Sequence, residues 1–144
     1  MEDPAEALPA LETEPDPADL RRLEALLYAF NVEATGIDDG EPFAFLLRDE
    51  AGAVSGGAVG WTWGGNCYLN HLVVPARLRG RGLGTRLMGS VEDLARARAC
   101  GQFVVETHDF QAPAFYRRLG FRIVGAVEGL PRGHRRLTLV KPLD

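Results

Sequence analysis

Leu72-Val-Val-Pro-Ala-Arg-Leu-Arg-Gly-Arg-Gly-Leu-Gly-Thr-Arg-Leu-Met88 is the stretch on which the reading of this chain turns. An apolar run ends at Val74, Pro75 follows, and Gly80, Gly82 and Gly84 come close together. Leu83, Leu87, Val91, Leu94 and Ala95 then form one apolar stripe at helical spacing, with arginines on the outer face. A strand ends, glycines turn the chain, and an amphipathic helix begins. In such a turn successive backbone N–H groups converge on one anion, and the helix N-terminus adds about half a positive charge. Arg77, Arg79, Arg81 and Arg86 surround the turn with no acid between them. Pyrophosphate suits that setting. The plainer alternatives are a solvated basic face and a helix start with no ligand.

Spacing narrows the ligand. A P-loop needs Lys-Ser/Thr after its second glycine, and Leu83-Gly84 stand there. A dinucleotide fingerprint needs a third glycine where Thr85 stands, and its first glycine directly after the strand rather than beyond Pro75 and the arginines. Glu106 nevertheless lies roughly where a ribose-binding acid would. Nucleic-acid binding fits poorly, because the arginines cluster on a glycine turn instead of lying along a face with aromatics.

Outward from the turn, the pattern alternates between strands and helices. Phe43–Arg48, Val54–Trp63 and Tyr68–Val74 read as a three-stranded meander, with turns at 49–52 and at Gly64-Gly65-Asn66. Gly56, Gly57 and Gly60 weaken the second strand and mark a bulge or a close backbone approach. Upstream, Asp16-Pro17 is a helix start, Leu20, Leu23, Leu27 and Phe30 recur at helical spacing, and Asn31 reads as the stop. Downstream come a strand, Gln102–Thr107, a short helix, Pro113–Leu119, and strands Arg122–Val127 and Leu137–Lys141. The order implies an α+β fold with a mixed sheet, the crossover helix making strands three and four parallel.

Charge divides the chain. Seven acids (Glu2, Asp3, Glu6, Glu12, Glu14, Asp16 and Asp19) precede residue 20 without one Lys or Arg, leaving 13 acids against 16 bases, a net of +3, for residues 20–144. Residues 1–15 read as a disordered acidic tail and 16–144 as the domain. No apolar run is long enough for a membrane span and no secretory leader is seen, which points to a soluble cytoplasmic protein without a membrane partner. Cys67 and Cys100 lack metal-ligand spacing, so no metal is expected.

Arg79, Gly82 and Gly84 match Arg/Gln-x-x-Gly-x-Gly/Ala, the acyl-CoA signature of the GNAT superfamily of N-acetyltransferases. The family's downstream signature, Asn-x-x-Ala-x-x-Phe-Tyr followed by Gly-Phe, is matched by Asp109-Phe-Gln-Ala112-Pro-Ala-Phe115-Tyr116 and by Gly120-Phe121. From about residue 20 to its end the chain therefore resembles this family, in particular a branch of small bacterial members. The resemblance implies a sheet with one splayed parallel strand pair. It implies that amides of Arg79, Gly80, Arg81, Gly82, Leu83, Gly84 and Thr85 hold the pyrophosphate of acetyl-CoA. It also implies that the backbone of Leu72, Val73 and Val74 pairs with pantetheine, that Asp109, Ala112 and Phe115 line the cofactor site, and that Tyr116 protonates the leaving thiolate. The acceptor would be an amine, on a small molecule or a peptide, and a homodimer is compatible with the family. Asp109 stands where Asn is usual, and Pro75 comes one residue early.

Direct attack on a thioester needs a neutral amine, hence a base. Simple alternation puts Tyr68, Asn70, Leu72 and Val74 on one strand face and Leu69, His71 and Val73 on the other. Asn70 occupies the position of the acid found in related proteins and cannot itself take a proton. His71 titrates in the right range but faces the other way; Glu106, His108 and a water relayed by Asn70 or Tyr68 are equal candidates. His134 reads as a surface residue, and Trp61 with Trp63 as sheet packing or an acceptor wall. A non-catalytic acyl-CoA-binding module is the rival function.

Overall fold

The computed structural model describes residues 8–144, which divide into two compact units, one ending at Ile37 and one starting at Asp38. In the first, α1 runs from Pro17 to Thr35. Asp16 caps it as expected, its Oδ1 accepting the Ala18 N–H at 2.8 Å, with Pro17 at the first helical position. Asn31 does not end it. The helix continues until Gly36 adopts φ +73° and donates its N–H to the Val32 carbonyl, so the glycine rather than the asparagine supplies the left-handed stop. Residues 8–15 carry neither helix nor strand, and the remainder of the tail reading, residues 1–7, lies outside the described residues. Deleting residues 1–14 should change the melting temperature and the acetyl-CoA affinity by little, because so polar a segment has too little apolar area to offset its ordering entropy. A fall of several degrees would refute this.

The second unit is a six-stranded sheet in the order β1-β2-β3-β4-β6-β5, formed by β1 (Glu41–Arg48), β2 (Val54–Trp63), β3 (Asn66–Val73), β4 (Gln102–His108), β5 (Arg122–Glu128) and β6 (Arg135–Pro142). Only the β3–β4 pair is parallel, and α2 (Leu83–Ala97) makes the crossover between them. The sheet is mixed, as expected. Leu87, Met88, Val91 and Ala95 of α2 are buried with Cys67, Leu69, Phe103, Val105, Leu137 and Leu139, so the core lies on the α2 face of the sheet. The short α3 (Pro113–Arg118) adds Tyr116 to that core, and Phe121 stands edge-on to both Phe103 and Tyr116. Lys141 of β6 and Arg96 bind the Glu92 carboxylate of α2 at 3.0 and 2.9 Å. Burial pushes that carboxyl up, yet the two cations outweigh it and hold it below its ordinary value.

The β2 glycines are close approaches. A Cβ on Gly56 would lie 2.5 Å from the Val73 carbonyl oxygen, and one on Gly60 2.0 Å from that of Tyr68. The bulge is also present. Val59 pairs with His71 and Gly60 with Leu69, so Asn70 is an extra residue on β3.

Candidate active site

The bulge is where the sheet begins to part. β3 and β4 pair only from Asn66–Leu69 to Gln102–Val105, although β3 continues to Val73 and β4 to His108. Beyond the pairing the strands leave a wedge whose inner edges carry backbone N–H and C=O groups without ladder partners. Leu72, Val73 and Val74 border one side of the wedge and Glu106, Thr107 and His108 the other.

The glycine turn follows directly. A 3-10 turn, Ala76–Leu78, leads to Gly80 and Gly82, whose φ values of +76° and +74° lie in the left-handed region; Gly82 is the N-cap of α2. A Cβ on either glycine would meet nothing within 4 Å, so the turn is open on that side and free to receive an anion. Arg79 braces it by donating its Nε–H to the Val74 carbonyl at 3.1 Å. Arg77, Arg81 and Arg86 have no side-chain hydrogen bond or ion pair among the described residues, which leaves three cations free for phosphate beside the exposed Thr85. These residues fit the pyrophosphate of a CoA-type ligand.

The two sequence signatures meet at Gly84. A Cβ there would lie 3.3 Å from Cζ of Phe115 and 3.6 Å from Cγ2 of Val74, so α3 is seated against the start of α2 and the end of β3. Tyr116, next in sequence, is buried between Phe115 and Phe121, and burial pushes its phenol above the ordinary value. It is therefore protonated at neutral pH and available as a donor. Ala112 is the N-cap of α3, placed there by Pro113. Cys67 offers no alternative chemistry: burial first, then Cys100, drives its thiol up to about 12, against a smaller opposing effect of Arg98. A buried thiol held protonated is a poor nucleophile.

Two expectations change. Simple alternation put His71 and Tyr68 on opposite faces, but the extra residue Asn70 inverts the phase beyond Leu69. His71, paired with Val59, now shares the face of Tyr68, paired with Trp61. His71 opens into a cleft of about 320 Å³ together with Leu46, Val54, Val59 and Val73. Tyr68 lies 5.8 Å from Trp61 on that face, and Trp63 6.4 Å from Trp61, in ring-centroid distance. Asn70 is exposed in the bulge.

The second change concerns Asp109, expected to line the cofactor. Its Oδ1 is 3.0 Å from Nδ1 of His134 and its Oδ2 accepts the Arg135 N–H at 3.1 Å. A carboxylate so engaged braces the turn between β5 and β6, a task for which two acceptor oxygens suit better than the usual asparagine's one. His134, read as a bare surface residue, is its partner. Sequence reasoning also passed over Gln111, whose Oε1 accepts the His108 N–H at 2.7 Å and is 3.1 Å from the Thr107 hydroxyl. A polar residue three positions after a strand-end histidine was the available signal. Glu106 is ion-paired with Arg136.

The profile of the Acetyltransferase (GNAT) family matches residues 5–121. The blasticidin-S acetyltransferase of Streptomyces morookaense is 40% identical over 107 residues, covering 72% of this chain and 76% of that protein. A crystal structure from Agrobacterium tumefaciens described as an acetyltransferase superposes with a TM-score of 0.81 at 29% identity, over 94% of this chain and 99% of the other. A Bacillus anthracis structure in complex with acetyl coenzyme A shares the fold, with a TM-score of 0.61 at 21% identity over 72% and 63% of the two chains.

Proposed function

The chain belongs to the GNAT acetyltransferase family and transfers an acetyl group from acetyl-CoA to an amine, and from that premise we propose that its acceptor is a small cationic amine, bound on the Trp61–Tyr68 face in a ternary complex with acetyl-CoA. The observation that carries this reading is the wedge: one mouth carries the free arginines and the glycine turn, and the opposite sheet face offers aromatic rings. Rings of that kind attract a desolvated cation. The similarity to a protein named for blasticidin S supports the same class of acceptor. The amides of residues 79–85 hold the pyrophosphate, and the backbone groups of Leu72 and Val73 on the wedge side align the pantetheine arm. Attack is direct in this scheme, and the buried thiol of Cys67 is no competing nucleophile. We place this reaction in the cytoplasm of a bacterium; no helix among the described residues is long and apolar enough to cross a membrane.

Thiol release measured with blasticidin S, thialysine and a peptide bearing a free N-terminus tests the acceptor class. Faster turnover of the two small amines than of the peptide is the expected result, and the reverse order would sink it. In this scheme Tyr116 gives its proton to the sulfur as the C–S bond breaks. Tyr116→Phe keeps the ring that packs on Phe121, so acetyl-CoA dissociation should be unchanged while turnover falls by about 10- to 10²-fold. Unchanged turnover would remove the phenol from the mechanism, and equal losses in binding and turnover would make it a binding residue only.

A further inference from the structure

We propose that His108 is the general base that takes the proton from the acceptor amine, and that Gln111 is the positioning residue that sets its tautomer. The proposal rests on the reading of the chain as an N-acetyltransferase. Its starting point is one atom, Oε1 of Gln111. That atom receives the backbone N–H of His108 at 2.7 Å, and a peptide N–H can only donate, so the atom there is the amide oxygen and not its NH₂. The same oxygen lies 3.0 Å from Nδ1 of His108. Oxygen has no proton to give, so Nδ1 must carry one. In a neutral imidazole the other nitrogen, Nε2, then holds the lone pair.

The ring is also fixed in plane. Phe110 stacks on it, centroids 5.2 Å apart and planes 14° from parallel, and Phe110 is in turn held edge-on by His134 at 4.9 Å. His134 is anchored by Asp109. Gln111, Phe110, Asp109 and His134 thus form one assembly behind a single imidazole, on a strand end that borders the wedge. The rival bases lack this. Glu106 is taken up by Arg136, Asn70 has no basic atom, and His71 has no hydrogen bond among the described residues to choose its tautomer. The charged groups around His108 are Arg136, its register partner on β6, Glu106 on its own strand, and Asp109 with His134 beyond Phe110. Each of these is already paired with another of them.

The attacking ammonium first loses one proton to solvent; the neutral amine nitrogen then forms a bond to the thioester carbonyl carbon while its second proton passes to Nε2 of His108. The C–S bond breaks, its electron pair stays on sulfur, and the sulfur takes the Tyr116 proton. The imidazolium and the phenolate return to their starting states by proton exchange with solvent.

Two measurements test this. Long-range ¹⁵N–¹H spectra of the free protein above pH 8 should show His108 as the Nδ1–H tautomer, and Gln111→Leu should convert it to a mixture. An Nε2–H tautomer in the wild type would overturn the proposal whatever the acceptor is. In the second measurement, kcat/KM for blasticidin S is followed against pH. The wild type should rise with pH along one limb, as a general base loses its proton. His108→Ala should lose that limb and fall about 10²- to 10⁴-fold, with acetyl-CoA binding retained. Gln111→Glu keeps an acceptor for Nδ1–H but adds a negative charge, so the limb should move to higher pH; a Gln111 with a merely structural role would leave the limb in place. A His108→Ala enzyme that keeps the limb overturns the base assignment. Should the wild type acetylate neither blasticidin S nor thialysine, the acceptor reading and the base assignment fall together, and the spectrum alone decides the tautomer lock.

Discussion

Gly82→Asp should reduce acetyl-CoA affinity by about 10³-fold. Gly82 caps α2 at φ +74°, and a Cβ there meets nothing within 4 Å, so the new side chain enters open space without disturbing the core. Asp is among the residues that tolerate the left-handed region, which keeps the backbone cost small. The dominant effect is therefore charge. A carboxylate about 4 Å from a phosphate, at an effective dielectric of about 20, costs about 4 kcal/mol, and each ~1.4 kcal/mol is a factor of ten. Gly82→Asn fills nearly the same volume without the charge and should lose at most about tenfold. Calorimetry of both variants with acetyl-CoA makes the comparison. Equal losses would mean that the site is blocked sterically, and wild-type affinity in the Asp variant would place the pyrophosphate elsewhere.

The second large effect falls on stability. Gly60→Ala puts a methyl group 2.0 Å from the Tyr68 carbonyl oxygen and 2.7 Å from Cζ of Phe43. The phenyl ring is a side-chain end and can shift, but the carbonyl belongs to the β2–β3 pairing next to the bulge and moves only if that pairing opens. Overpacking usually costs about 1–3 kcal/mol and more where backbone must shift. We expect about 4 kcal/mol here, a large part of the roughly 5–15 kcal/mol that holds a domain together. Gly89→Ala, inside α2 with nothing within 4 Å of the added methyl, is the matched control. It should raise stability by about 0.5–1 kcal/mol. Urea midpoints of the two variants must move in opposite directions, and a Gly60→Ala midpoint within error of the wild type would contradict the close approach.

Much of this was legible because the chemistry was local. Apolar stripes, capping residues and glycine turns located every strand and α-helix, though not the 3-10 turn at Ala76–Leu78, and the crossover helix before Gln102 announced the parallel pair. The resemblance of Arg79–Gly84 and Asp109–Tyr116 to two family signatures drew attention to the glycine turn and to α3 in chain order, and the closeness of Gly84 to Phe115 shows that they are neighbours in space. What was not legible depended on pairing between distant segments. The bond from Asp109 to His134 spans 25 residues, and no periodicity reports it. The same holds for Glu106 with Arg136. The facing of His71 was misjudged for a different reason: alternation assumes an unbroken ladder, and the glycines that announced a disturbance lie on β2, while the extra residue is on β3.

That extra residue makes β3 a strand with two reading frames. Before Asn70, odd-numbered side chains enter the core; after it, even-numbered ones pack toward the core and odd ones face the open sheet surface. Deleting Asn70 would leave every pairing in place, with Leu72 and Val74 still inward and His71 and Val73 still outward, and would remove only the bulge at which the strands begin to part. The separation of the two frames has a use. His71 and Val73 can be rewritten together to reshape the cleft while Cys67 and Leu69 go on specifying the interior, because the two halves of the strand obey separate instructions.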